Sequence, residues 1–288
     1  MSFGETVLLG ALAGFTIFLG LPFGRIELLS SRARVGLAMF SVGVLAFLFG
    51  EILVHGVEIV EEPVEELGEG AGGWGEVIGL SLILGVGFTA GCAGLAMAER
   101  RIRRSQSAPP PIAGGATDAM TAEEAALIAP PETVPSHRTE ALRIGMTIAA
   151  AIGLHNFAEG LAIGVSASTG EIGLATVLII GFAIHNATEG FGIIGPLGDI
   201  RPSWSWLLTA GLVGGAPTFL GTIVGYNVTS EPLELLFYAV SAGAILYVIG
   251  EVWTAMRKLG HRELGLLMLC AGVFLAAMTE MVIAYGGG

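Results

Sequence analysis

From residue 142 to residue 195 the chain reads LRIGMTIAAAIGLHNFAEGLAIGVSASTGEIGLATVLIIGFAIHNATEGFGIIG. Two apolar runs, about 142–167 and 171–195, lie in it. Each exceeds the roughly 20 residues that a helix needs to cross a hydrocarbon core about 30 Å thick. Each carries the same phrase, His-Asn-x-x-Glu-Gly, once as His155 to Gly160 and once as His185 to Gly190, 30 residues apart. Ionisable side chains at bilayer depth cost on the order of 2.5–3.5 kcal/mol each on insertion scales. A chain that repeats such a phrase in two adjacent spans is keeping it for a use.

The rest of the chain extends this reading. Hydrophobic residues make up 53% and charged residues 13% of the 288, with a mean hydropathy of +0.77. A soluble domain carries about 25% charge, so this chain cannot cover a water-facing surface. Apolar runs at about 5–24, 35–57, 75–98, 142–167, 171–195, 204–226, 232–256 and 264–285 predict eight transmembrane helices in one all-α integral membrane domain over 1–288. No segment alternates as barrel strands would. The first run has no positively charged stretch before it and is too long for a cleavable signal. Cys92 and Cys270 lack CxxC spacing, which excludes a disulfide framework and a thiolate zinc site. A net charge of −12 argues against nucleic acid and is compatible with cations.

All 13 Lys and Arg fall in the first, third, fifth and seventh connections or at their edges, from Arg25, Arg32 and Arg34 to Arg257, Lys258 and Arg262. The positive-inside rule then puts both termini outside the cytoplasm of a cell-membrane protein. The second connection, on the outer side, holds seven glutamates between Glu58 and Glu76 and no basic residue. It reads either as a solvated acidic loop or as a mouth that concentrates cations. The third connection, about 99–141, is rich in Ala and Pro and reads as a flexible cytoplasmic loop. Within it, Thr117 or Asp118 is placed to cap a short helix through Ala125.

Eight ionisable groups are expected at membrane depth: Glu51, His55, His155, Glu159, His185, Glu189, Glu251 and Glu280. No Lys or Arg lies there to pair with the five carboxylates, leaving protons or metal ions to neutralise them. Within each phrase His and Glu are four residues apart, hence on one helical face. The connection between the two helices is about four residues, so they are antiparallel neighbours. His155 lies about 13 residues before that turn and His185 about 15 after it, at matching depth. His155, Glu159, His185 and Glu189 therefore converge, and imidazole nitrogen with carboxylate oxygen suits a divalent first-row cation such as Zn, Fe, Mn or Co. Asn156 and Asn186 are placed to offer amide oxygens to an adjacent second ion. Glu51, His55 and Glu58 share a face of the second helix and suit an entrance relay. Glu251 lies toward the cytoplasmic end of the seventh helix, either as an exit ligand or snorkelling to the interface. Glu280 is expected simply to be protonated.

The paired phrases, the eight spans with outer termini and the long loop after helix three together resemble the ZIP family of divalent-metal transporters. The segment Ala242-Gly243-Ala244-Ile245-Leu246-Tyr247 through Glu251 is similar to that family's seventh helix. The resemblance implies an influx carrier for zinc and related ions, Cd included, usually a homodimer. It places the metal between helices four and five, with two helix bundles moving for alternating access. The chain departs from the family pattern in having Ala158 where Pro is common before the Glu. It has Gly214-Gly215-Ala216-Pro217 where an acidic residue often precedes Pro, and Asn186 where some relatives have Asp. A second ion is therefore expected to bind weakly or not at all.

The expectation is a divalent-metal permease whose metal is substrate and not cofactor. Two alternatives stand beside it. An intramembrane metallohydrolase would need an open coordination position and a nearby base, and no His-Glu-x-x-His is present. A proton-coupled carrier of another solute would titrate the carboxylates and bind no metal.

Overall fold

The structure, a computed structural model, describes residues 1–26, 30–106, 137–170, 172–227 and 230–287. Among them, eight helices are long and apolar enough to cross a membrane. The first span, Phe3–Arg25, is composite. Helix α1 (Phe3–Phe15) gives way to a four-residue α2 (Ile17–Gly20) and a 3-10 turn, Leu21–Arg25, with Pro22 in its first turn. The remaining spans are α3 (Ser31–Gly68), α4 (Trp74–Gln106), α5 (His137–Ser168), α6 (Ile172–Ile194), α7 (Trp204–Asn227), α8 (Glu231–Leu259) and α9 (Arg262–Gly287).

Local chemistry sets the ends. Ser2 and Glu5 form a capping box at the start of α1, and the Ser30 hydroxyl accepts from Ala33 N at 3.2 Å to start α3. Where the first span breaks, the Thr16 hydroxyl lies 2.7 Å from the carbonyls of both Ala13 and Ala183, with one proton to give to either.

Two helices run longer than their apolar stretches. Helix α3 continues through the glutamate-rich stretch to Gly68, with only a short connection before Trp74. The expected acidic loop is mostly helix because the segment is amphipathic. Glu58, Glu61, Glu62, Glu65 and Glu66 face out, while Gly56 and Pro63 are buried. Likewise α4 runs to Gln106 and α5 begins at His137, so both edges of the long loop are helical. The short helix expected after Thr117 lies outside the described residues.

The spans sort into two sets. In one, α5 packs chiefly on α7, with α1 and α6 alongside; in the other, α4 packs on α8 and α3 on α8 and α9. The sets meet where α5 touches α8 and where α6 touches α3 and α9. The closest helix pairs are built alike, with a glycine from each partner against the other's backbone. A Cβ at Gly160 would strike the Thr218 carbonyl, and one at Gly221 the Phe157 carbonyl. Gly91 and Gly243 do the same between α4 and α8, and Gly43 and Gly272 between α3 and α9. Lipid gives helices no hydrophobic reason to associate, so close van der Waals contact through small residues must hold them.

The basic connections meet at one end of the bundle. Arg34 pairs with Asp199 at 3.1 Å, Arg25 donates to the Pro202 carbonyl, and Arg138 donates to the Arg201 carbonyl at 3.1 Å. Near that end Arg143 lies 3.6 Å from Glu99, which also accepts from the Tyr247 hydroxyl at 2.9 Å, tying α5 to α4 and α8. At the opposite end the Phe3 and Tyr226 rings meet edge to face, 5.2 Å apart.

Overpacking so close a contact is expected to cost about 1–3 kcal/mol. Gly221→Ala and Gly243→Ala should each lower the melting temperature of the detergent-purified protein. Gly79→Ala, with nothing within 4 Å of the added carbon, should change stability by no more than about 0.5 kcal/mol. Equal melting temperatures for all three variants would contradict the packing described.

Candidate functional site

The two His-Asn-x-x-Glu-Gly phrases come together inside the bundle. His155, Asn156, Glu159, His185, Asn186 and Glu189 are all buried, none more than 4% exposed. His155 Nε2 stands 3.1 Å from Glu159 Oε1, one turn along α5, and 3.6 Å from Glu189 Oε1 across on α6. His185 neighbours His155, and its ring lies 6.4 Å from that of Phe182. The glycine that ends each phrase lets another helix close in beside it. Gly160 admits the backbone of α7 at Thr218, and Gly190 lies against Gly20 and Ile17 of the first span.

These groups are polar, buried and largely without partners. Seven of their side-chain atoms make no hydrogen bond: His155 Nε2, Asn156 Oδ1, Glu159 Oε1, both ring nitrogens of His185 and both oxygens of Glu189. Native proteins leave few such atoms, and each normally costs about 1–3 kcal/mol. Among the described residues no Lys or Arg is buried, so no side-chain cation compensates the two carboxylates. Nor do the side chains already stand as a cage: among the described residues no three His, Cys, Asp or Glu donors are arranged to hold an ion as they are. The His155 imidazole leans on the carboxylates of Glu159 and Glu189.

The asparagines are engaged with each other. Asn156 Nδ2 donates to Asn186 Oδ1 and, at 2.9 Å, to the carbonyl of Gly214. Asn186 Nδ2 donates to Glu159 Oε2 at 3.2 Å and to the Phe182 carbonyl at 2.9 Å. An amide thus ties α5, α6 and α7 at one level and holds one oxygen of Glu159 while leaving the other free.

A cavity of about 310 Å³ leads away from His155 and Glu159 toward the acidic end, past Glu51, His55, Glu234, Tyr238 and Glu280. Glu51 on α3 and Glu280 on α9 are neighbours in this lining. His55, exposed, contacts Glu58 at 3.1 Å through Nδ1, so the expected Glu51–His55–Glu58 face exists and opens on this cavity. Glu280, expected only to be protonated on its own, is a member of the same lining. Glu251 is half-buried and stands near Tyr247, apart from the residues lining the 310 Å³ cavity.

Two features were beyond sequence reasoning. The hydroxyl of Ser241 on α8 lies 3.2 Å from His155 Nδ1, in the buried interior. Its partner holds the imidazole so that Nε2 faces the carboxylates, the usual arrangement behind a ligating histidine. The Glu99–Arg143–Tyr247 contact is the second. Ser241 opens the small-residue run Ser-Ala-Gly-Ala, which marks close packing, but no pattern names its partner 86 residues away.

Comparison with known proteins gives this geometry a setting. The family model described as ZIP Zinc transporter matches residues 121–275, more than half of the chain and including both phrases. A zinc transporter ZupT from Corynebacterium glutamicum is 27% identical over 280 residues, covering 93% of this chain and 97% of the relative. The ZupT of Corynebacterium efficiens is 27% identical over 274 residues, covering 93% and 95%. The match to the family model over more than half its length, with full-length likeness to two ZupT proteins, shows that this chain belongs to the ZIP zinc transporter family.

Proposed function

We propose that this chain carries divalent transition-metal ions, zinc foremost, across the cell membrane into the cytoplasm. His155, Glu159, His185 and Glu189 hold the ion between α5 and α6. The observation that carries the reading is the set of buried donor atoms without partners, with no Lys or Arg paired to Glu159 or Glu189 among the described residues. A dication supplies the missing charge, and nitrogen and oxygen donors together suit Zn and its first-row neighbours, with Fe, Mn and Co as further cargo and Cd as a mimic. The ion is substrate, so the donors must also let it go. Ligand groups that fall back onto one another when it leaves serve that purpose.

The route follows from the same contacts. Glu51 and His55 line the cavity that reaches His155 and Glu159, and they pass the ion inward from the acidic end. That end is the outer one, because the arginines gather at the other, and it carries both termini. At the basic end Arg143, Glu99 and Tyr247 close α5 onto α4 and α8. Access alternates when the set containing α5 to α7 shifts against the set containing α3, α4, α8 and α9. Glu251 then receives the ion on the cytoplasmic side. Two chains work as a homodimer in the lipid bilayer. The families matched are transporters, which sets the metallohydrolase alternative aside.

In proteoliposomes, Glu159→Gln and Glu189→Gln should each abolish saturable zinc uptake while leaving a folded protein. Zinc should raise the melting temperature of the wild type and fail to raise that of either variant, since a ligand that binds only the native state stabilises it. Wild-type uptake in both variants would end the assignment. Zinc-independent uptake of protons with another solute would favour the proton-coupled carrier.

Ser241→Ala should weaken apparent zinc affinity about 10-fold, as loss of a partner behind a ligating histidine does, with the maximal rate little changed. Ser241→Thr should restore it. A fall in rate at unchanged affinity would mean that Ser241 serves packing alone.

A further inference from the structure

The basic end of the bundle holds a second cavity, unconnected with the quartet. It has a volume of about 380 Å³ and lies where the start of α3, the end of α8 and the start of α9 meet. Its floor is apolar, formed by Val35, Met39, Met256 and the half-buried Trp253. Its rim carries Arg257, His261 and Arg262, and none of its lining residues is acidic. An adjoining cavity of about 570 Å³ shares His261, Arg262 and Leu266 and adds Arg32, with Glu263 as its one carboxylate.

Four other arginines at this end are engaged. Arg34 pairs with Asp199, Arg143 with Glu99, Arg138 with a carbonyl, and Arg25 with a carbonyl and the Trp204 ring 4.8 Å away. Among the described residues Arg32, Arg257, His261 and Arg262 have no ion-pair partner. In a chain of net charge −12, an apolar cleft lined by two arginines and a histidine and by no carboxylate is a local concentration of basic groups. The cleft opens on the outer flank of α9, where Leu266, Leu267 and Phe274 are exposed, 66% for Leu267.

We propose that this cleft binds one anionic phospholipid. The phosphodiester rests among Arg257, His261 and Arg262, and the acyl chains run over the floor and down α9. Charge at headgroup level above an apolar cleft between transmembrane helices is the pattern that recognises anionic lipid. A soluble phosphate would use the rim and gain nothing from Met39, Met256 or Trp253. By filling the junction of α3, α8 and α9, the lipid braces the set that stays fixed while α5 to α7 move. Its binding does not depend on which ion the quartet carries.

Native mass spectrometry of the full chain in mild detergent, with added phosphatidylglycerol or phosphatidylcholine, tests this directly. One phosphatidylglycerol per chain should be retained at several times the occupancy of phosphatidylcholine. R257Q/R262Q should lower that retention at least fivefold. R100Q/R101Q, which removes equal charge from exposed positions on α4, should leave it unchanged. Trp253→Ala, which keeps the charge and empties part of the floor, should also lower it. Melting temperatures taken without added lipid confirm that each variant is folded. Equal loss in both double variants, or equal retention of the two lipids, would overturn the proposal. So would a stabilisation by inorganic phosphate or glycerol 3-phosphate as large as that given by phosphatidylglycerol, since the pocket would then read a phosphate alone.

Discussion

A carboxylate in a membrane needs a counter-charge, and this bundle withholds the ordinary one. Glu159 and Glu189 lie in the buried interior beside two histidines, and no Lys or Arg is buried among the described residues. The geometry around them keeps that deficit open. Asn186 satisfies one oxygen of Glu159, Ser241 satisfies one nitrogen of His155, and the atoms facing each other are left unpaired. A purely structural network would close on itself, because a half-satisfied buried network is costlier than an apolar one. Here the unsatisfied atoms point at one another, as they would around a visiting cation.

Helix packing explains why the deficit can persist. The chief support of α5 is α7, and the two touch through Gly160 and Gly164 on one side and Gly221 and Gly225 on the other. That spine fixes α5 without using its polar face, which is left to meet α6 and α8. The same reciprocal glycine contact recurs in the other set, between α4 and α8 and between α3 and α9. Each set is therefore stiff within itself. Between the sets lie the Ser241–His155 hydrogen bond and the Arg143–Glu99 pair, beside apolar contacts shared by α3, α5, α6 and α8. Polar contacts of this sort exchange partners with little change of packing, whereas interlocked glycines do not.

Much of this was legible in the residues. Eight apolar runs gave eight helices, and the repeated phrase placed His155, Glu159, His185 and Glu189 together because the helical repeat and a short turn leave little choice. What stayed hidden was what local pattern cannot encode. Glu280 carries no sign that its partner is Glu51, since nothing local says that α9 lies on α3. The glutamates after Glu58 were read as loop because charge outweighed periodicity, yet their spacing leaves Gly56 and Pro63 on one buried side, and the helix runs on to Gly68. Ser241 gives no sign in the sequence, because one hydroxyl among small residues has many ordinary uses and only tertiary packing gives it His155.

The amide arrangement bears on how many ions such a centre would hold. A second cation beside the quartet would need lone pairs where this chain has Asn156, Asn186 and the Gly214–Ala216 stretch. Both hydrogens of Asn156 Nδ2 are committed, to Asn186 Oδ1 and the Gly214 carbonyl, and both of Asn186 Nδ2 to Glu159 and Phe182. The oxygen of Asn186 and the carbonyl of Gly214 are thus already accepting, and Glu159 Oε2 faces a donor. Of the two amide oxygens, Asn156 Oδ1 alone makes no hydrogen bond. One neutral oxygen cannot replace water around a dication, and turning the amides over to release more would break the ties among α5, α6 and α7. The position that a carboxylate would fill with negative charge is filled here by an amide bridge. Under the proposed function, Glu159 Oε1, both oxygens of Glu189 and the two imidazoles would be the donor set for a single ion.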